Sequence, residues 1–275
     1  MRVEPDTIQS NILRSVDPAF CLFVFFRIND VAAFRSFLTL ALDKRLTFTG
    51  TQTGIYSERD RLAHRRQSVE STATAVEASP QSHSLHMNVG FTLSGLEVLG
   101  VAEETCKSFP EPFREGMAAR AAILGDDGIS APDRWEGYLG SKEVHGVLWW
   151  NWWDIRKQDR LPGDAHSKLA SQADGTWDHI KEAIIRNQGI EILHSETGAA
   201  NYRRFASGEI DRIEHFGFRD GLSQPWIDFG VPVSVNLSHP APGGGTPRQN
   251  GQWAPLAPGE FVLGYPDEDG LIQPW

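Results

Sequence analysis

The run Phe20–Ile28, FCLFVFFRI, constrains the fold more than any other stretch of the chain. It is short, Pro18 stands just before it, and aromatic and β-branched side chains dominate, so it reads as a strand. Alternation puts Leu22, Val24, Phe26 and Ile28 on one face and Cys21, Phe23 and Phe25 on the other. Both faces are apolar, which calls for a sheet covered on two sides. A helix follows, with Asn29 or Asp30 as its N-cap and Phe34, Phe37, Leu38 and Ala41 as its buried stripe.

The same reading gives three more strands: His86–Leu93, His145–Trp153 and Ile190–Thr197. Ser94 caps a short helix carrying Leu96 and Leu99. Ser108, Pro110 and Pro112 open a longer helix, and Phe113, Met117, Ala121 and Leu124 form an apolar stripe that reads as core before Gly125 stops it. A helical unit over His166–Arg186 shows Trp177, Ile180 and Ile184 on one side, and the polar stretch Ser57–Ser84 reads as an exposed loop or loosely ordered insertion. With the inserted helices set aside, the order is β-α-β-β-α-β. That is an α+β, ferredoxin-like pattern: an antiparallel four-stranded sheet with helices on one face. Trp149 and Trp153 share one face of the third strand while Trp150 and Trp152 take the other, so both sides of the sheet ask for cover. These four read as packing at a domain interface before they read as an electron relay. From Gly230 to Gly259 glycine and proline make a long irregular segment, and Glu260–Tyr265 reads as a last strand-like piece.

Composition removes several function classes. With 26 basic against 36 acidic residues the formal charge is -10, so a nucleic-acid or anionic-membrane binder lacks its basic face. Two cysteines, Cys21 and Cys106, exclude a disulfide framework and a Cys-rich zinc or iron–sulfur site, and Cys21 reads as a buried, inert thiol. The nine histidines form no HExxH or His-x-His pair, so no metal site is predicted. No P-loop, G-x-S-x-G or dinucleotide fingerprint occurs, and the triple glycine at Gly243 reads as a flexible loop. No apolar run approaches the roughly 20 residues a membrane helix needs, and no secretory h-region follows the N-terminus, so a cytoplasmic protein is expected.

The candidate site is His215–Phe229, HFGFRDGLSQPWIDF. Gly217 and Gly221 bracket Phe218, Arg219 and Asp220, and two glycines four apart let the backbone approach something flat without a Cβ clash. Phe216, Phe218 and Trp226 would wall Asp220, and a carboxylate desolvated by aromatics has a raised pKa suited to moving a proton. The other reading is an Asp-Gly turn in which Asp220 accepts backbone N–H bonds. The residues alone leave both open. His215 reads as hydrogen-bonded packing rather than a ligand.

GFRDG, Gly217 to Gly221, resembles the GxxDG motif of dye-decolorizing haem peroxidases, and HFGFRDGLSQP is similar to their longer-chain bacterial and fungal members. Five other stretches resemble that family in its order: IQSNILR, NVGFTLSGLEVLG, FPEPFREGMAAR, VHGVLWW and GEFVLGYPDEDG. The resemblance implies two ferredoxin-like halves around a haem b. It makes Asp220 the distal acid that takes a proton from hydrogen peroxide and hands it to the leaving oxygen. It sets Gly217, Phe218, Gly221, Leu222 and Ser223 along the haem, and gives dyes or phenols as electron donors.

The family's proximal histidine and distal arginine come from its second half, which follows a GEFVLGYP-like strand, and no histidine follows His239 here. The expectation is therefore the distal-Asp half of such a peroxidase, active with a C-terminal-half polypeptide that supplies the iron ligand. Residues 1–212 would be the ferredoxin-like half, and residues 213–275 the haem-pocket segment and extension. The competing expectation is a haem-free ferredoxin-like subunit for binding or assembly.

Overall fold

The computed structural model describes residues 8, 9, 12, 20–43, 83–154, 189–206, 208, 210–219, 225–228 and 243–272. Strand β1 is Phe20–Ile28 and helix α1 is Val31–Asp43. Strand β2 is His83–Phe91, β3 is Gly146–Asp154 and β4 is Ile190–Ala199. They form one sheet in the order β2-β3-β1-β4 with every neighbour antiparallel, which is the ferredoxin-like arrangement the sequence leads one to expect.

One face carries the core. Leu22, Val24, Phe26 and Ile28 are buried together with Met87, Leu148, Trp150 and Ile190, and Phe34 of α1 packs onto them. Phe26 and Phe34 rings lie 5.1 Å apart, with Phe91 edge-on to both, at 6.4 Å and 6.3 Å. Asp30 is the helix cap: its Oδ1 accepts the Ala33 N–H at 3.0 Å. Phe37 and Leu38 complete the stripe; the Ala41 side chain and the unit His166–Arg186 lie outside the described residues, as does nearly all of Ser57–Ser84.

The second face is mixed rather than apolar. Register puts Asn88, Trp149, Phe23 and Glu196 in one row, and Val147, Phe25 and His194 in another. Phe23 and Trp149 rings are 5.4 Å apart, and the Trp149 indole donates to Asn151 Oδ1 at 2.8 Å. Asn88 and Asn151 are buried, and among the described residues neither Oδ1 nor Nδ2 of Asn88 has a hydrogen-bond partner. Cys21 is half-buried here against Gly198, not sealed in the core, because it points away from the face α1 covers; Cys106 is the buried cysteine. The side chains of Trp152 and Trp153 lie outside the described residues.

Between β2 and β3 the chain forms α2 (Leu93–Val98), α3 (Glu103–Ser108), α4 (Glu111–Ala119) and α5 (Ala121–Leu124). Thr92, not Ser94, caps α2: its hydroxyl accepts the Gly95 N–H at 3.2 Å and donates to the Val144 carbonyl at 2.7 Å, so the cap is also a tertiary tie. The stripe expected from Phe113 to Leu124 is not core. Gly116 takes φ 76 and breaks the helix, so the four positions no longer share a face, and Phe113, Met117 and Leu124 are exposed. Glu260–Tyr265 is not a strand either. Pro258–Glu260 is a 3-10 turn, Val262 N–H returns to the Pro258 carbonyl at 2.9 Å, and Gly259 N–H reaches the Pro266 carbonyl at 2.9 Å. A local fold-back consumes the backbone groups that a strand would offer.

Two further ties join separate segments. His145 is buried at the entry to β3. Its N–H donates to the Phe26 carbonyl at 2.8 Å, its Nδ1 accepts the Ile28 N–H at 2.9 Å, and its carbonyl accepts the Thr92 N–H at 3.1 Å. Gln9 lies along the outer side of β2, where its Nε2 donates to the Val89 carbonyl at 2.8 Å and its Oε1 accepts the Val89 N–H at 2.7 Å. Among the described residues no helix is long and apolar enough to cross a membrane.

Candidate functional site

A hairpin not foreseen in the sequence leads into the candidate site. Strands β5 (Asn201–Arg204) and β6 (Ile210–Ile213) pair antiparallel, and the loop that follows turns back so that Arg219 bridges to Ile213. Glu214 braces this loop. Its two carboxylate oxygens accept the N–H groups of Phe216 and Phe218 at 2.8 Å and 3.0 Å, while its own N–H donates to the Phe218 carbonyl and its carbonyl accepts the Gly217 N–H. Gly217 has φ 94, a conformation that would strain any residue with a Cβ. Sequence reasoning missed Glu214: an acid four residues before the end of a tight loop carries no spacing signal of its own.

Among the described residues, Phe216 and Phe218 pack against no wall of this chain. Phe216 and Phe218 are 89% and 74% exposed, and a Cβ added at Gly217 would meet nothing within 4 Å. Trp226 is buried, its N–H donating to the Gly244 carbonyl and its carbonyl accepting the Leu256 N–H, both at 2.7 Å. Ile227 bridges to Leu256 beside it, and β7 (Thr246–Pro247) pairs with β8 (Trp253–Ala254) in the same strip. Arg219 and Arg203 lie over the Phe205 ring at 4.9 Å and 5.7 Å. His215 is exposed and accepts a hydrogen bond at Nδ1 from the Asn201 amide at 2.9 Å, so it is hydrogen-bonded but not packed.

Of the expected site residues, Gly217 and Phe218 are therefore on an open ledge. Asp220, Gly221, Leu222 and Ser223 lie outside the described residues. Both described flanks of that stretch are anchored, by the Glu214 brace on one side and by pairing to Leu256 on the other.

A family model described as the DyP dimeric alpha+beta barrel domain matches residues 7–151, more than half of the chain. The chain belongs to the dye-decolorizing peroxidase family. The DyP match ends in β3 and does not reach the GFRDG motif. A dye-decolorizing peroxidase of Mycena epipterygia is 26% identical over 94% of this chain and 36% of its own length, and peroxidase 2 of Mycetinis scorodonius is 27% identical over 96% and 38%. Among solved structures, an ancestral D-type dye-decolorizing peroxidase superposes with a TM-score of 0.61 at 24% identity, over 96% of this chain and 45% of its own. A DyP complex with 2,6-dimethoxyphenol gives 0.58 at 22% identity, over 98% and 47%. The chain thus spans little more than a third of these curated relatives and under half of these structures.

Proposed function

We propose that this chain is the distal-Asp half of a DyP-type haem peroxidase, reducing hydrogen peroxide and oxidising dyes or phenolic donors once a C-terminal-half polypeptide completes it. Residues 1–212 then act as the ferredoxin-like half and residues 213–275 as the pocket segment. The observation that carries the reading is the ledge at the start of GFRDG: two exposed aromatics, Phe216 and Phe218, and the open Gly217 between them, held by Glu214, in a chain of this family. A flat, apolar group such as haem b fits such a surface, because covering Phe216 and Phe218 removes apolar area from water. Gly217, Phe218, Gly221, Leu222 and Ser223 would hold it by close backbone approach. When bound, haem supplies the one-electron redox chemistry.

Within this reading Asp220 is the proton carrier, moving a proton from one oxygen of hydrogen peroxide to the other. The proximal histidine and a distal arginine come from the C-terminal half. The same reading has the enzyme at work in the cytoplasm. The test is a visible spectrum with haem stoichiometry on the chain alone and co-expressed with a C-terminal-half polypeptide. A Soret band only in the complex is expected, and no haem in either sample would remove the peroxidase assignment in favour of a haem-free assembly subunit. In the complex, Asp220→Asn is expected to slow peroxide turnover by about 10²- to 10⁴-fold, the range of general acid–base catalysis, with haem content retained. Unchanged turnover would remove Asp220 from that role.

A further inference from the structure

We propose that Glu136, His194 and Glu196 form a divalent-metal site, of the class that takes Zn²⁺, which clamps the connection before β3 onto the outer strand β4. One ligand atom from each lies within 4.8 Å of the other two. His194 and Glu196 are two apart on β4 and therefore share a face, with His194 Nε2 and Glu196 Oε1 3.1 Å apart. Glu136 arrives from the turn after the 3-10 segment Pro132–Arg134, and its backbone carbonyl accepts the Leu139 N–H at 3.1 Å.

Three features prepare the group. The Phe25 ring sits 5.9 Å from the His194 ring and limits its swing. The pairing of β1 with β4 slips between Phe25 and Phe26, so Leu193 is an extra residue just before His194, the kind of bulge that re-aims a side chain. The turn is pinned by the Trp135 indole donating to the Ser130 carbonyl at 2.8 Å, and Gly137 lies over the imidazole, where even a Cβ would stay 3.8 Å from Nδ1. A tetrahedral zinc with nitrogen and oxygen ligands at about 2.0–2.2 Å sets them about 3.4 Å apart, so a modest side-chain contraction closes the group.

Charge points the same way. Among the described residues no lysine or arginine pairs with Glu136 or Glu196. Two carboxylates facing one imidazole neutralise a divalent cation, and the imidazole nitrogen favours a first-row transition metal over calcium or magnesium. Glu136 and Glu196 are exposed, which leaves the remaining coordination positions to water.

The test is calorimetric titration of the chelator-stripped full chain with Zn²⁺, beside Glu136→Gln, His194→Gln and Glu196→Gln, each checked for folding by far-UV circular dichroism. One equivalent is expected to bind, at least tenfold more weakly in each variant, and to raise the melting temperature of the parent chain but not of His194→Gln. Zn²⁺ binding that all three variants retain, or no binding by the parent chain, overturns the site. The outcome is independent of haem.

Discussion

Replacing Glu214 by alanine tests whether one side chain holds the loop that runs into GFRDG. The carboxylate accepts two backbone N–H groups, from Phe216 at 2.8 Å and Phe218 at 3.0 Å, in a partly exposed setting. A net hydrogen bond contributes about 0.5–1.5 kcal/mol, so removing both costs about 1–3 kcal/mol of local order. At 1.4 kcal/mol per decade that is about a 5- to 150-fold larger open population. Native-state hydrogen exchange read by NMR reports it directly, as equally faster exchange at the Phe216 and Phe218 amides. Amides of β1 and β3 should keep their protection, since among the described residues none of this loop belongs to the core cluster. Glu214→Gln, which keeps an acceptor oxygen, should fall between the two. Exchange at Phe216 and Phe218 within twofold of the parent chain would refute the brace.

The buried imidazole of His145 is held below its ordinary pKa of 6.5, first by desolvation, then by the nearby Arg27, with Glu143 opposing. A lowered folded pKa means the unfolded chain binds the proton first, so this contribution is complete above 6.5 and is lost as the pH falls from there through the folded value. Urea unfolding should show stability falling over that window, and less so in His145→Gln; an equal fall in both would assign the effect elsewhere. Phe34→Ala empties a fully buried ring site against Phe26, Phe37 and Phe91 and should cost about 3–5 kcal/mol in urea unfolding. A loss under about 1 kcal/mol would mean α1 is not fastened to the sheet through Phe34.

What was legible in the sequence was what repeats. The alternation in FCLFVFFRI carries its own face assignment, and Asp30 before an apolar stripe carries its own cap, so β1, α1 and the sheet order followed. Patterns failed where one residue overrides a period. Gly116 breaks the stripe from Phe113 to Leu124, and Thr92, just before the helix, takes the Gly95 N–H as its cap, whereas Ser94 lies inside the helix with its hydroxyl donating to the Lys142 carbonyl. GEFVLGYP has strand composition, yet Pro258 and the fold-back of Gly259 on Pro266 turn it into a loop. Glu214 braces its own loop through N–H groups two and four residues on, which no hydrophobic period marks, and the group Glu136, His194 and Glu196 depends on contacts between segments, for which a linear sequence holds no spacing.

The Gln9 carboxamide has consequences beyond the residue it touches. Its donor and acceptor both engage Val89, as a peptide group of a neighbouring strand would. Strand β2 is an outer strand of the sheet, and an outer strand with vacant ladder groups is a template for adding a foreign strand. Here a side chain occupies one rung of that ladder. A second molecule approaching β2 would have to displace Gln9 before it could set a register, which turns a single glutamine into a guard against edge-to-edge aggregation.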